Sequence, residues 1–450
     1  MTNPADLSIP EAAAALRAGS LSARALTQAH LDRIAARPAL RAFTTLNPEA
    51  LAEADRADAL LAQSPGQFCG IPFAVKDLID AAGLPATSGS AVLAGRIAPQ
   101  DADAVARLRA QGAVLLGKTA TYEFAMVGPD LTLPDPPARN PWNRAHITGG
   151  SSSGSAAAVA GGLTRMALGT DTGGSIRAPA AYCGAVGLKP SYGRTSRAGA
   201  FHLSPSLDHI GPIAATVEEA ALTLDAITET PEIWRPALGQ LQRGAQNLRL
   251  LYARDWFASD PQASPALIRA MDDAAAQFSL LGARITLAPL PDYATYEAAA
   301  SVILHAEALD QHQALIRDHA PRYGRPTLQC LAFGAAILPQ DLAAARDAQT
   351  RLTAAMQSAM AGFDLILLPT TLTPALPFSA FDGEKAVWTP MRTIPFNLTG
   401  QPALSFPIGF DNGLPLGAQL AGPIGDEDLI CAAAHAFERS TDHSAQRPTY

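Results

Sequence analysis

Lysine is scarce in this sequence of 450 residues, which holds four: Lys76, Lys118, Lys189 and Lys385. Basic residues number 33 against 41 acidic ones, the net charge is −8, and no run of Lys or Arg builds a basic stripe. Nucleic acid is therefore not expected as a partner, because such a surface needs clustered positive charge. Long apolar runs are also missing, none approaching the roughly 20 residues that cross a bilayer. Asp6 and Glu11 stand where a signal peptide would carry positive charge and an apolar core, so a cytoplasmic location without membrane contact is expected.

The four cysteines, Cys69, Cys183, Cys330 and Cys431, show no CxxC spacing, which points to buried free thiols rather than disulfides or zinc. HExxH is absent. His305, His312 and His319 recur every seven residues on an expected helix, but that spacing sets successive ring anchors about 10.5 Å apart along the axis, too far to share one ion. They are expected at the surface or in a groove. No lysine follows a serine by three residues, which excludes the Ser-x-x-Lys arrangement of penicillin-binding enzymes.

What is present is apolar, at 48% hydrophobic and 16% charged residues, enough for a sizeable core. Alanine-rich amphipathic helices are expected over residues 1–63, started by Ser8, Ser22 and Pro48 and closing near Gln63. Ile71 to Val75 reads as a buried strand that delivers Lys76 and Asp77 at its end. A helix over 103–111, a strand over 113–116 and a helix over 121–126 follow. Alternation of this kind predicts an α/β fold, a large mixed twisted sheet with helices on both faces. Further strands are expected at 248–253, 283–290, 364–368, 403–407 and 417–420, and a last helix at 427–438. Residues 293–361 read as a helical insertion broken near Pro321 to Pro326. With no repeat and no long linker, one domain over 1–450 is the simplest account.

Glycine and serine concentrate in one stretch, Gly149 to Pro179 (GGSSSGSAAAVAGGLTRMALGTDTGGSIRAP). A flexible linker would have this composition, yet the segment between the two Gly/Ser clusters is apolar and patterned. Small residues let backbone approach a ligand closely, and turns of exposed N–H groups can hold an oxyanion. Two short patterns mislead. GAVLLGKT at Gly112 to Thr119 fits GxxxxGK[ST], but its middle residues are themselves a strand where a phosphate loop needs open backbone. Gly150 to Gly154 fits GxSxG around Ser152, without the hydrophobic strand that must precede a nucleophile elbow.

GGSSSGSAAAVAGG followed by GTDTGGSIRAPAAYCGAVGLKPSYGR resembles the signature of the amidase signature family of serine hydrolases. GIPFAVKDLID, EFAM, ARNPWN, SLDHIGP, TGQPALSFPIGF and LPLGAQLAGP extend the likeness over most of the chain, leaving about 240–357 poorly matched. The resemblance implies a catalytic lysine at Lys76, a bridging serine in a cis peptide at Ser151 and a nucleophile at Ser175. It also implies an oxyanion hole from the amides of Thr172, Gly173, Gly174 and Ser175, and no metal or organic cofactor. The chemistry is coherent, since a serine needs a base to take its proton and a lysine serves only if its pKa is depressed. Asp171 and Arg177 are expected to brace the loop, and Met126 and Val127 to face the acyl pocket. After EFAM the family's amidotransferase subunit resembles a polar loop suited to glutamine, whereas VGPDLTLPDPPA stands here. The expectation is thus a stand-alone hydrolase, monomer or homodimer, of small aryl or alkyl amides or of carbamates. The alternative is the glutaminase subunit of a tRNA-dependent amidotransferase.

Overall fold

The computed structural model describes residues 3–61, 63, 66–230, 232–381 and 385–449. Three helices open the chain, α1 (Ile9–Arg17), α2 (Ala23–Ala36) and α3 (Ala50–Leu61), with strand β1 (Phe43–Leu46) before the third. Ser8 starts α1 with a reciprocal cap, its hydroxyl accepting from the Glu11 N–H while the Glu11 carboxylate accepts from the Ser8 N–H. Next come β2 (Pro72–Lys76), α4 (Asp103–Ala110), β3 (Val114–Thr119), α5 (Ser153–Ala160), β4 (Met166–Asp171), α6 (Arg177–Cys183), β5 (Val186–Lys189) and β6 (His209–Ala214). Then follow α7 (Val217–Ile227), β7 (Arg249–Tyr252), α8 (Pro265–Leu280), β8 (Arg284–Leu287), α9 (Tyr293–His319), α10 (Arg325–Ala335) and α11 (Pro339–Ala359). The chain closes with β9 (Leu365–Pro369), α12 (Pro395–Leu398), β10 (Ala403–Asp411), β11 (Leu414–Ala421) and α13 (Glu427–Ser440).

Among the described residues the strands form one eleven-stranded mixed sheet, ordered β1-β3-β2-β4-β6-β5-β10-β11-β9-β7-β8. Helices cover both faces, as expected. Period-two alternation sorts the central strands: Phe73, Val75, Met166 and Leu168 enter one apolar cluster with Leu224 of α7, Phe278 of α8 and Phe437 of α13. Ala74 and Ala167 turn the other way, against Ala156 and Val159 of α5 and Ala180 and Cys183 of α6. Each large apolar side chain so buried contributes about 1.5–3 kcal/mol. Helices α9 to α11 pack on the same side as α12 through Tyr296, Ile303, Leu331 and Met356. Strand β2 runs parallel to both β3 and β4, with Val75 opposite Leu168, so the carboxyl ends of β2 and β4 lie side by side. In open α/β sheets that is where a ligand site forms.

Several expectations need correction. The helix over 121–126 is a single 3-10 turn at Glu123–Ala125, with Phe124 at φ 50° and Ala125 at φ 60°. Tertiary hydrogen bonds claim this segment instead: Phe124 N–H donates to the Ser88 carbonyl, and Glu123 accepts from Ser90 and from the Gly324 N–H. Helix α3 stops at Leu61, and position 62 lies outside the described residues. Strands β1, β5 and β6 were not foreseen. His312 is buried rather than at the surface, its Nδ1 2.8 Å from the Tyr323 hydroxyl, while His305, largely buried, lines a cavity. No group of three or more His, Cys, Asp or Glu among the described residues is arranged to hold a metal, and no single helix is long and apolar enough to cross a membrane. Lys118 sits inside β3, ion-paired with Asp77 at 3.0 Å, so GAVLLGKT is sheet and not a phosphate loop.

The serines of GGSSSGS anchor the start of α5. Ser153 Oγ donates to the Ala120 carbonyl and Ser155 Oγ to the Leu168 carbonyl. Between them, a Cβ on Gly154 would lie 2.3 Å from both Ala120 N and the Ala42 oxygen. Gly154→Ala is therefore expected to force α5 off β3 at a cost of about 1–3 kcal/mol, read as a lowered urea midpoint with an unchanged slope.

Candidate active site

Lys76 ends β2 and is fully buried. Its Nζ lies 2.7 Å from Ser151 Oγ and 2.7 Å from Thr170 Oγ1, and no carboxylate among the described residues forms an ion pair with it. Burial lowers its pKa to about 7, a shift partly opposed by the charges of Asp171 and Asp208. Lys118 and Lys189 are equally buried, but one is ion-paired with Asp77 and the other donates to the Pro190 carbonyl beside His209. Lys76 alone of the three is held by hydroxyls.

Ser151 follows a cis Gly150–Ser151 peptide. Tyr122 clamps this point: its N–H donates to the Ser151 carbonyl, and a Cβ on Gly150 would stand 2.2 Å from its ring. Ser152, the centre of GxSxG, is fully buried, with its hydroxyl donating to the Thr170 carbonyl, so it faces the sheet and cannot reach a substrate.

Ser175 lies on the turn that leaves β4. The Asp171 carboxylate gathers that turn, accepting from the N–H groups of Gly174 at 2.8 Å and Ile176 at 3.1 Å. Arg177 answers it with all five donors engaged: Nε and Nη2 to Asp171 at 3.0 Å each, Nη2 to Asn397 at 2.7 Å, and Nη1 to the Thr393 carbonyl and Gln419 at 2.9 Å each. Burial pushes the Asp171 pKa up, but Arg177 outweighs it and holds the carboxyl well below the usual range. One expected oxyanion donor is thereby corrected, since the Gly174 N–H already belongs to Asp171. The N–H groups of Thr172, Gly173 and Ser175 have no such partner among the described residues. Thr172 Oγ1 donates to Asp208 at 2.6 Å, and Thr393 donates to the Gly173 carbonyl, which fixes the turn from both sides.

Ser175, Thr172 and Gly173 form part of the wall of a cavity of about 300 Å³, joined by Met126, Val127, Leu203, Leu304 and Ile394. Met126 and Val127 thus share a cavity wall with Ser175. Gly128 joins that wall, but beyond it VGPDLTLPDPPA turns away: Pro129, Asp130, Leu133 and Asp135 line a separate cavity that also borders Tyr122. Thr170, Asp208, Asn397 and Gln419 were not foreseen. Thr170 and Gln419 carried a signal, as polar side chains within strands otherwise reading as buried and apolar.

A mixed sheet with a buried lysine and two glycine-flanked serines gathered where two parallel strands end defines an amidase scaffold. This chain belongs to the amidase signature family, whose model, Amidase, matches residues 25–431. It is 36% identical to the A subunit of the glutamyl-tRNA(Gln) amidotransferase of Thermus thermophilus, over 94% of this chain and 95% of that protein. The protein of the same name from Carboxydothermus hydrogenoformans is 35% identical over 98% and 99% of the two chains. Among solved structures, the native peptide amidase from Stenotrophomonas maltophilia superposes with a TM-score of 0.86 at 31% identity, over 99% of this chain and 98% of that one.

These relatives overturn the expectation of a stand-alone hydrolase of aryl or alkyl amides or carbamates, and with it that of a monomer or homodimer without a nucleic-acid partner. Proteins similar over nearly the full length are named as subunits of a tRNA amidotransferase. Two inferences misled. The loop after EFAM faces mostly away from Ser175, so its composition says little about the acyl pocket. Net charge tests only whether this chain itself grips nucleic acid, and one member of an assembly can leave that contact to its partners.

Asp171→Asn is expected to destabilise the protein by about 3–5 kcal/mol, because it leaves the Arg177 charge buried without its counter-ion. Urea unfolding measures this, and Asp171→Asn/Arg177→Met should recover part of the loss.

Proposed function

We propose that this chain is an ammonia-releasing amidase that hydrolyses the side-chain carboxamide of glutamine, within an assembly that passes the nitrogen to aminoacylated tRNA. The observation that carries this reading is identity of 35–36% to the A chains of tRNA amidotransferases over at least 94% of the chain. Buried Lys76 and Ser151, with Ser175 on the cavity wall, support the chemistry. Such a role implies protein partners, a tRNA substrate for the assembly and a cytoplasmic site of action.

In this reading neutral Lys76 takes a proton through the Ser151 hydroxyl as Ser175 Oγ attacks the carboxamide carbon. The carbonyl oxygen becomes an oxyanion facing the N–H groups of Thr172, Gly173 and Ser175. Lys76, now an ammonium, returns the proton through Ser151 to the departing nitrogen, which leaves as ammonia. Water then attacks the acyl-enzyme, its proton following the same route, and glutamate leaves as Ser175 regains its hydrogen. No step requires Gly174, whose N–H holds the turn in shape.

Ser175→Ala should abolish ammonia release from glutamine, and Lys76→Ala should reduce it by roughly 10²–10⁴-fold. Because only neutral Lys76 accepts a proton and its pKa is about 7, kcat/KM should fall as pH drops below about 7 and level off above it. Failure to cleave glutamine, by the chain alone and by its assembly with partner proteins, would sink the reading.

A further inference from the structure

We infer that Glu297 selects the substrate, its carboxylate anchoring a primary ammonium group carried by the carboxamide donor. The inference rests on carboxamide hydrolysis at Ser175. Helix α9 borders the Ser175 cavity and presents Glu297, Ser301 and His305 to it at intervals of four residues, one face of the helix. The adjoining walls are apolar, through Met126, Val127 and Leu304 among others, and no lysine or arginine lines the cavity among the described residues.

The polar stripe accepts more than it donates. His305 Nδ1 lies 2.7 Å from the Ser301 carbonyl oxygen, so this nitrogen carries the hydrogen, and burial lowers the ring's pKa, which keeps it neutral and leaves Nε2 an acceptor. Glu297 accepts no hydrogen bond and forms no ion pair among the described residues. Arg392, whose charge acts on Glu297 without touching it, is held by Asp260, the Trp256 carbonyl and the face of the Tyr293 ring. A wall of acceptors without a cation calls for a ligand group that is both positive and a donor, and an ammonium offers three N–H bonds. Placement agrees. Tyr293, one turn before Glu297, donates to the Met391 carbonyl, and Met391 Sδ stands 2.9 Å from where a Cβ on Gly174 would be. This end of α9 therefore adjoins the turn that carries Ser175. A negative group on the donor meets no lysine or arginine on the cavity wall among the described residues, so the amine of glutamine is the group that Glu297 selects.

Calorimetric titration of the Ser175→Ala chain measures binding without turnover. L-glutamine should bind about ten- to hundredfold more tightly than 4-carbamoylbutanoate, which lacks only the amine. Adding Glu297→Gln should collapse that ratio to near one. Equal binding of the two ligands, no binding of either, or a preference that survives Glu297→Gln overturns the inference. Ammonia release by the unaltered chain is assayed in parallel: an amine preference without glutamine cleavage leaves Glu297 standing and removes the proposed reaction instead.

Discussion

The buried pairing of Asp171 with Arg177 is the constraint on which the site depends. Taking two charges out of water is costly and is offset only when geometry satisfies every polar group. Here Arg177 has a partner for each of its five N–H donors, and these partners come from the last residue of β4, from Thr393, from α12 and from β11. One ion pair thereby ties strands far apart in the sheet to the four residues that present Ser175. Asp171 also directs its remaining lone pairs to backbone N–H groups, which bends the turn so that the amides of Thr172, Gly173 and Ser175 stay open.

Burial does the complementary work at Lys76. Three lysines are removed from water to the same degree, and what separates them is the first atom each one meets. A carboxylate keeps Lys118 an ion-pair partner, whereas two hydroxyls leave Lys76 poised near neutrality. The carboxylates that bias it, Asp171 and Asp208, act at a distance and also hold the turn carrying Ser175. The same two side chains therefore shape the turn and temper the shift that burial imposes on Lys76.

Much of this is legible in the residues. The scarcity of lysine draws notice to Lys76, the apolar run before it predicts its burial, and the two Gly/Ser clusters locate Ser151 and Ser175. The sheet with helices on both faces follows from alternation along the chain. Contacts between distant segments are not legible, because nothing local marks Asn397 or Gln419 as partners of Arg177 more than 200 residues away. The same limit explains Gly174, whose amide is claimed by Asp171, and the turn at Glu123, where tertiary hydrogen bonds override a helical reading. The substrate expectation fails because a loop adjacent in sequence to Met126 is for the most part not adjacent in space to Ser175.

Helices α9 to α11 pack on the sheet through the apolar cluster of Tyr296, Ile303 and Met356 with Ile366 and Leu368, while Glu307 links α9 to Ser204, Ser206 and Arg346 and Glu123 accepts from the Gly324 N–H. The nucleophile turn draws its support from the sheet, Asp208, Thr393 and α12. On the function proposed above, bond-breaking and substrate choice are thus inscribed on separate lengths of chain. Mutational drift can reshape the α9 wall, and with it the diet of the enzyme, while the machinery at Ser175 is inherited intact.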